Sequence, residues 1–133
     1  DIIKNKIYCK NKIYIIGGWN GKSLNDINYL KLNNHEFTWK RSPIYDVPEM
    51  CAFSCDLYDN SALIFGGVVD GRFSNDLYSL NFSNETINKL KISTNNITLK
   101  ERSHHSSCVH HNKLFIFGGL GSHGLNINDN NIY

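Results

Sequence analysis

Three short apolar runs, each halted by two adjacent glycines, constrain this chain more than anything else in it. They are Ile13-Tyr14-Ile15-Ile16-Gly17-Gly18, Ala62-Leu63-Ile64-Phe65-Gly66-Gly67 and Leu114-Phe115-Ile116-Phe117-Gly118-Gly119. The glycine pairs recur after 49 and then 52 residues, and self-similarity at such a period marks an array of structural units. Each run is too short for a helix and rich in β-branched or aromatic residues, so it reads as a strand buried on both faces. A glycine pair at its end lets a neighbouring segment approach the backbone closely. An ordinary turn explains one such pair, but not three in register.

The surroundings of the runs repeat as well. Ile7-Tyr8-Cys9, Ser54-Cys55-Asp56-Leu57 and Ser106-Ser107-Cys108-Val109 each lead through a polar turn into the glycine-terminated run, which is a hairpin pattern. Loops over 19–24, 68–74 and 120–128 follow the glycines. Third strands then open at Asn25-Asp26-Ile27, Asn75-Asp76-Leu77 and Asn130-Asn131-Ile132, and fourth strands lie around Phe37-Thr38-Trp39-Lys40 and Ile87-Asn88-Lys89-Leu90-Lys91, past turns at Asn33-Asn34-His35 and Ser83-Asn84-Glu85. Four short antiparallel strands per unit of about 50 residues, with no helical period, is the sequence form of a β-propeller blade.

With these features the chain resembles the kelch repeat family over nearly its whole length. That family shows a hydrophobic strand ending in Gly-Gly, an Asn-Asp-aliphatic-Tyr strand, a Trp in the next strand and an Arg-x-x-His-like start to the following blade. Here the marks are Gly17-Gly18, Asn25-Asp26-Ile27 and Trp39, then Gly66-Gly67 and Asn75-Asp76-Leu77-Tyr78, then Arg102-Ser103-His104-His105 with Gly118-Gly119 and Ile132-Tyr133. Asn28 stands where the family has Tyr, Leu90 near where it has Trp, and Pro48-Glu49 where an Arg would fall. The resemblance implies an all-β kelch-type propeller segment of four-stranded antiparallel blades, one over about 1–42, one over about 49–93 and a partial one over about 102–133. It makes Tyr78 and Trp39 structural motif positions, and assigns Arg102 and His105 to packing and hydrogen bonds where a blade begins. A closed propeller needs roughly 4 to 8 blades, so further blades of the same parent chain are expected; a first residue other than Met agrees with a segment of a longer protein.

Composition removes several function classes. Fourteen basic and twelve acidic residues, mixed along the chain, form no stripe that would steer nucleic acid. The apolar runs fall far short of the roughly 20 residues of a membrane helix, so neither nucleic acid nor membrane is expected as a partner. Cys9, Cys51, Cys55 and Cys108 show no CxxC spacing and lie mostly among strand-like residues, which favours free thiols and a reducing, cytoplasmic setting. Sequons at Asn81, Asn84 and Asn96 are no more than an Asn-rich chain produces by chance.

Candidate chemistry is sparse. Gly119-Leu120-Gly121-Ser122-His123-Gly124 matches GxGxxG, but that motif works by opening a helix whose N-terminus holds a pyrophosphate. Leu125-Asn126-Ile127-Asn128 has no helical pattern, so a loop between strands is expected. His104 and His110 fall on one face of an assumed continuous strand, with His105 and His111 on the other; residues six apart in it are about 20 Å apart, too far to share a metal. No nucleophile elbow is present. The expectation is therefore no catalytic residue, no metal site and no cofactor within the segment. Alternatives of another class are the propeller of a metal-dependent oxidase or other enzyme, and a regulatory domain attached to a phosphatase.

The loops after the glycine pairs and the connections between blades remain. They carry Trp19, Tyr45, Arg72, Phe73 and His123, residue types that dominate binding hot spots. In a propeller both sets of loops lie at one end of the blades, so a protein partner is expected to dock on that rim. The opposing expectation is that Trp19, Val69 and Phe73 tuck against neighbouring blades.

Overall fold

The computed structural model describes residues 3–9, 11–32, 36–92, 98–127 and 130–132. Blade 1 is a meander of β1 (Ile3–Cys9), β2 (Lys12–Trp19), β3 (Ile27–Leu32) and β4 (Phe37–Arg41), hydrogen-bonded in that order and antiparallel throughout. A two-residue strand, β5 (Met50–Cys51), precedes blade 2, which comprises β6 (Ser54–Tyr58), β7 (Ser61–Phe65), β10 (Leu77–Asn81) and β11 (Thr86–Leu90). Two further short strands, β8 (Val68–Val69) and β9 (Arg72–Phe73), stand between β7 and β10. Blade 3 shows β12 (Ser106–His110), β13 (Lys113–Phe117) and β14 (Asn130–Ile132). The turn at 33–35 and Tyr133 lie outside the described residues.

Tight turns fix the registers. Cys9 pairs Lys12, Tyr58 pairs Ser61 and His110 pairs Lys113, leaving two-residue connections. Asn11, Asp59, His111 and Asn112 take positive φ there, which two-residue hairpins demand and Asn and Asp tolerate well.

The first strands of successive blades lie side by side, β1 against β6 and β6 against β12, while β4 and β11 form outer edges. Apolar side chains fill the spaces between blades. Between blades 1 and 2 sit Ile7, Tyr14, Ile16, Ile27, Met50, Phe53, Ala62, Ile64 and Leu80, with Tyr78 packed against them. Tyr14 stacks on Phe82 at 4.2 Å and meets Tyr29 at 5.5 Å. Between blades 2 and 3 sit Phe65, Leu99, Leu114 and Ile116, with Leu77, Ile92 and Val109 against them. This is why the glycine-terminated strand β7 is apolar on both faces: it is sandwiched between blades 1 and 3.

The glycine pairs mark the junctions. A Cβ on Gly17 would stand 2.5 Å from the carbonyl oxygen of Met50, and one on Gly66 2.8 Å from that of Arg102. The first glycine of a pair is thus covered by the lead-in to the next blade. The second faces its own blade's lead-in, since a Cβ on Gly67 would meet Cys51 O and Phe53, and one on Gly119 Ser103 O and His105. These contacts align Met50-Cys51-Ala52-Phe53 with Arg102-Ser103-His104-His105. The third residues agree, with φ of 53° at both Ala52 and His104. Met50, and not Pro48 or Glu49, therefore holds the place of Arg102. What the position conserves is a backbone carbonyl over a glycine, so the side chain is free to differ.

Candidate functional site

Among the described residues, the loops that follow glycine pairs and the connections between blades gather at one end of the structure. The second strand of each blade ends there and the third begins there, so the lead-ins meet the loops directly. Met50 N–H donates to Leu24 O at 2.9 Å, and Arg102 N–H donates to Ser74 O at 3.1 Å. At blade 2 this rim is regular: β5, β8 and β9 form a three-stranded sheet. The sequence reading had a plain loop at 68–74; strands of two residues leave no periodicity to read.

Of the five residues expected to bind a partner, Trp19 is exposed, Tyr45 is 79% exposed, Arg72 and His123 are exposed, and Phe73 is half-buried. Tyr45 projects from a connection pinned on either side by buried Ile44 and Val47. Val69 packs against the first core, so there the tucked arrangement holds. Arg72 and Phe73 line a groove of about 570 Å³ with Asp70, Asp76, Tyr78 and Glu101. Lys89 Nζ sits 2.8 Å from Asp76 Oδ2 on its wall, and that hydrogen bond raises the Lys89 pKa. His123 stands in a single 3-10 turn, Ser122–Gly124, at φ 69°. Leu120 and Asn126 bridge across its base, and Gly121 N–H donates to Leu125 O at 2.8 Å. The GxGxxG stretch therefore closes on itself as a loop and opens no helix.

Beneath the rim, the start of blade 3 is a buried polar junction. Arg102 is 0% exposed; its Nη1 donates to Gly118 O at 3.1 Å and its Nε to Lys100 O at 3.3 Å. The buried His105 ring shares a 2.8 Å hydrogen bond with Ser54 Oγ and stands edge-on to Phe65 at 5.3 Å. The Ser107 hydroxyl donates to the Asp56 carboxylate, and Tyr58 O–H donates to Asn112 Oδ1 at 3.2 Å, continuing the contact between β6 and β12. Burial, and then the positive charge of Arg102, lower the His105 pKa to about 4.

The sign of the resulting pH dependence follows from the lowered value. Above the ordinary 6.5 both folded and unfolded chains hold a neutral imidazole; between 6.5 and about 4 the unfolded chain binds a proton that the folded one refuses. Stability therefore falls as pH drops through that window, by on the order of 2 kcal/mol after allowance for solvent screening. Urea unfolding at pH 7.5 and 4.5 should show this loss, and His105→Phe, which copies Phe53, should remove that component.

The strand assumed to carry four histidines spans only Ser106–His110. His104, at positive φ, is exposed beside Ser103 Oγ at 2.9 Å, whereas His110 and His111 meet ring to ring at 4.0 Å where the strand enters the hairpin turn. Simple alternation fails because three of the four lie outside the strand. Among the described residues no three His, Cys, Asp or Glu side chains are gathered as a metal ion would require, and no helix is long and apolar enough to cross a membrane. The described cysteines are free thiols. Burial, and then the Asp56 carboxylate, push Cys55 up to about 12, whereas Cys108 is exposed. Thiol titration at pH 8 should thus modify Cys108 first, with Cys9, Cys51 and Cys55 reacting only on unfolding. Trp39, a structural motif position, is 57% exposed on the face of blade 1 that points away from blade 2, in register with Leu30, Ile13 and Tyr8.

Comparison with known proteins agrees with this geometry. The family model described as the KLHDC2/KLHL20/DRC7 Kelch-repeats domain matches residues 5–133. Host cell factor 1 of Homo sapiens is 32% identical over 123 residues, covering 87% of this chain and 6% of that protein. Kelch domain-containing protein 1 of Mus musculus is 32% identical over 119 residues, covering 86% of this chain and 28% of that protein. The chain thus spans less than a third of either relative. The matched family, the three repeated glycine pairs and the four-stranded antiparallel blades together show that this chain belongs to the kelch-repeat family and is a segment of a β-propeller.

Proposed function

We propose that this segment is a non-catalytic protein-interaction module that recruits or scaffolds a partner protein through its loop rim. Kelch-repeat domains are in general protein-interaction modules. The observation that carries the reading is the contrast between scaffold and rim. Glycines, lead-ins and turns recur at equivalent places, whereas Trp19, Tyr45, Arg72 and His123 differ from one another and point outward at the same end. Loops serving only to turn the chain need no such variety; an interface needs distinct anchors, of which a minority carry most of the energy.

In this reading the blades cover about 1–42, 49–93 and 102–133, and further blades of a longer cytoplasmic parent chain complete the ring. Arg72→Ala and Phe73→Ala should each weaken partner binding by about 1 to 3 kcal/mol and leave the unfolding midpoint nearly unchanged. Titration of wild type and variants against a co-purified, identified partner checks this. Unchanged affinity in a quadruple alanine variant of Trp19, Tyr45, Arg72 and His123 would place binding elsewhere, with the turns at Asn11, Asn60 and Asn112 next to test.

A further inference from the structure

The two junctions inside the molecule are chemically different, and the difference extends to the face blade 3 leaves open. Blade 2 receives His105 with one cross-strand pair, Ser54 opposite Phe65. Ser54 Oγ takes the hydrogen bond, Phe65 takes the ring edge, and the adjoining Gly66 lies under Arg102 O. Blade 1 offers Asn5 opposite Ile16 at the same place, and the side chain delivered there is Phe53, packed in the same cluster as Ile16.

Blade 3 repeats the blade 2 set and not the blade 1 set. Ser106 stands opposite Phe117 in the same register, and Gly118 follows with φ +61°, beside +62° at Gly66. Nothing in the described structure covers it. Phe117 is 45% exposed where Ile16 is 0% and Phe65 1%, Ser106 is exposed, and a Cβ on Gly118 would find only Ile127 O, at 3.8 Å. That oxygen sits where Ser74 O sits for Gly66, since Ile127 N–H donates to Gly119 O as Ser74 N–H donates to Gly67 O.

We propose that Ser106, Phe117 and Gly118 form a docking site for the lead-in of a further blade of the polar Arg-x-x-His kind. Its first residue lays a carbonyl over Gly118, and its fourth, a histidine, bonds the Ser106 hydroxyl and sets its ring edge on Phe117. A Met-x-x-Phe lead-in like that of blade 2 would leave Ser106 without a partner at a buried junction, which is costly. The inference rests on the reading that further blades follow blade 3.

The test lengthens the chain past Tyr133 by a copy of residues 81–133 whose own Cys108 is changed to serine, so that the original Cys108 is the one exposed thiol among the described cysteines. This continues the repeat in register, because Ile132 opposite Phe115 and Ser79 opposite Leu63 hold the same place. Cys108, two residues from Ser106 on the same face of β12, reports docking through its rate of thiol labelling. Labelling in the lengthened chain should slow by about tenfold or more. Ser106→Ala, or alanine at the copied His105, should each restore part of the rate, and the two together should restore no more than either alone, the signature of a shared contact. Ser54→Ala with His105→Ala gives the same cycle at the existing junction as a benchmark. Labelling that stays fast would overturn the further-blade reading itself. Slowed labelling with additive or absent effects at Ser106 and the copied His105 would overturn only the assignment of the lead-in.

Discussion

Gly66→Val is expected to destabilise the chain by at least about 3 kcal/mol, seen as a lower urea midpoint with an unchanged slope. Two costs add. The backbone has φ +62°, a conformation that costs a side-chain-bearing residue about 1 to 2 kcal/mol. The first added carbon would also lie 2.8 Å from Arg102 O, 2.9 Å from His105 Cε1 and 3.3 Å from Ser74 O. Two of these atoms are backbone, and Arg102 O belongs to the lead-in of blade 3, so it cannot step aside without parting blade 3 from blade 2. Gly71 supplies the control: it has φ +78° at the tip of the β8–β9 hairpin, with nothing within 4 Å. Gly71→Val should therefore cost only the conformational share, about 1 to 2 kcal/mol. Equal losses at the two sites would mean that the pairs are mere turns.

Arg102→Ala should be of similar size, a loss of about 3 kcal/mol or more, read by the same unfolding curves. The guanidinium fills a fully buried site and satisfies Gly118 O and Lys100 O. Truncation leaves a cavity and strands polar backbone atoms from water. Arg102→Met should cost far less, within about 1.5 kcal/mol, because Met50 occupies the matching site at the first junction, equally buried. A methionine variant as damaged as the alanine one would show that the polar bonds, and not the filling of space, hold the junction.

These cases show what a single sequence discloses here. The glycine pairs were legible because a close backbone approach admits almost no other residue, and the hairpins because a polar turn between two apolar runs marks them; that the turns are two residues long was not. The equivalence of Met50 to Arg102 was hidden, since only carbonyl position is shared. The rim sheet of β5, β8 and β9 was hidden because its strands are two residues long and are held by partners far apart in sequence. Trp39 marked a strand correctly, but its exposure depends on what lies beyond blade 1. The outward rim followed from strand order alone. That Val69 packs against the core while Arg72, its cross-strand partner, stays exposed was hidden as well.

Hydrogen exchange of the chain with and without its bound protein partner tests the central claim most directly. Binding at the rim predicts slowed exchange over 42–49, the β8–β9 hairpin and 120–127, with no change at the turns around Asn11, Asn60 and Asn112. Protection confined to those turns, with the rim unaltered, would contradict it.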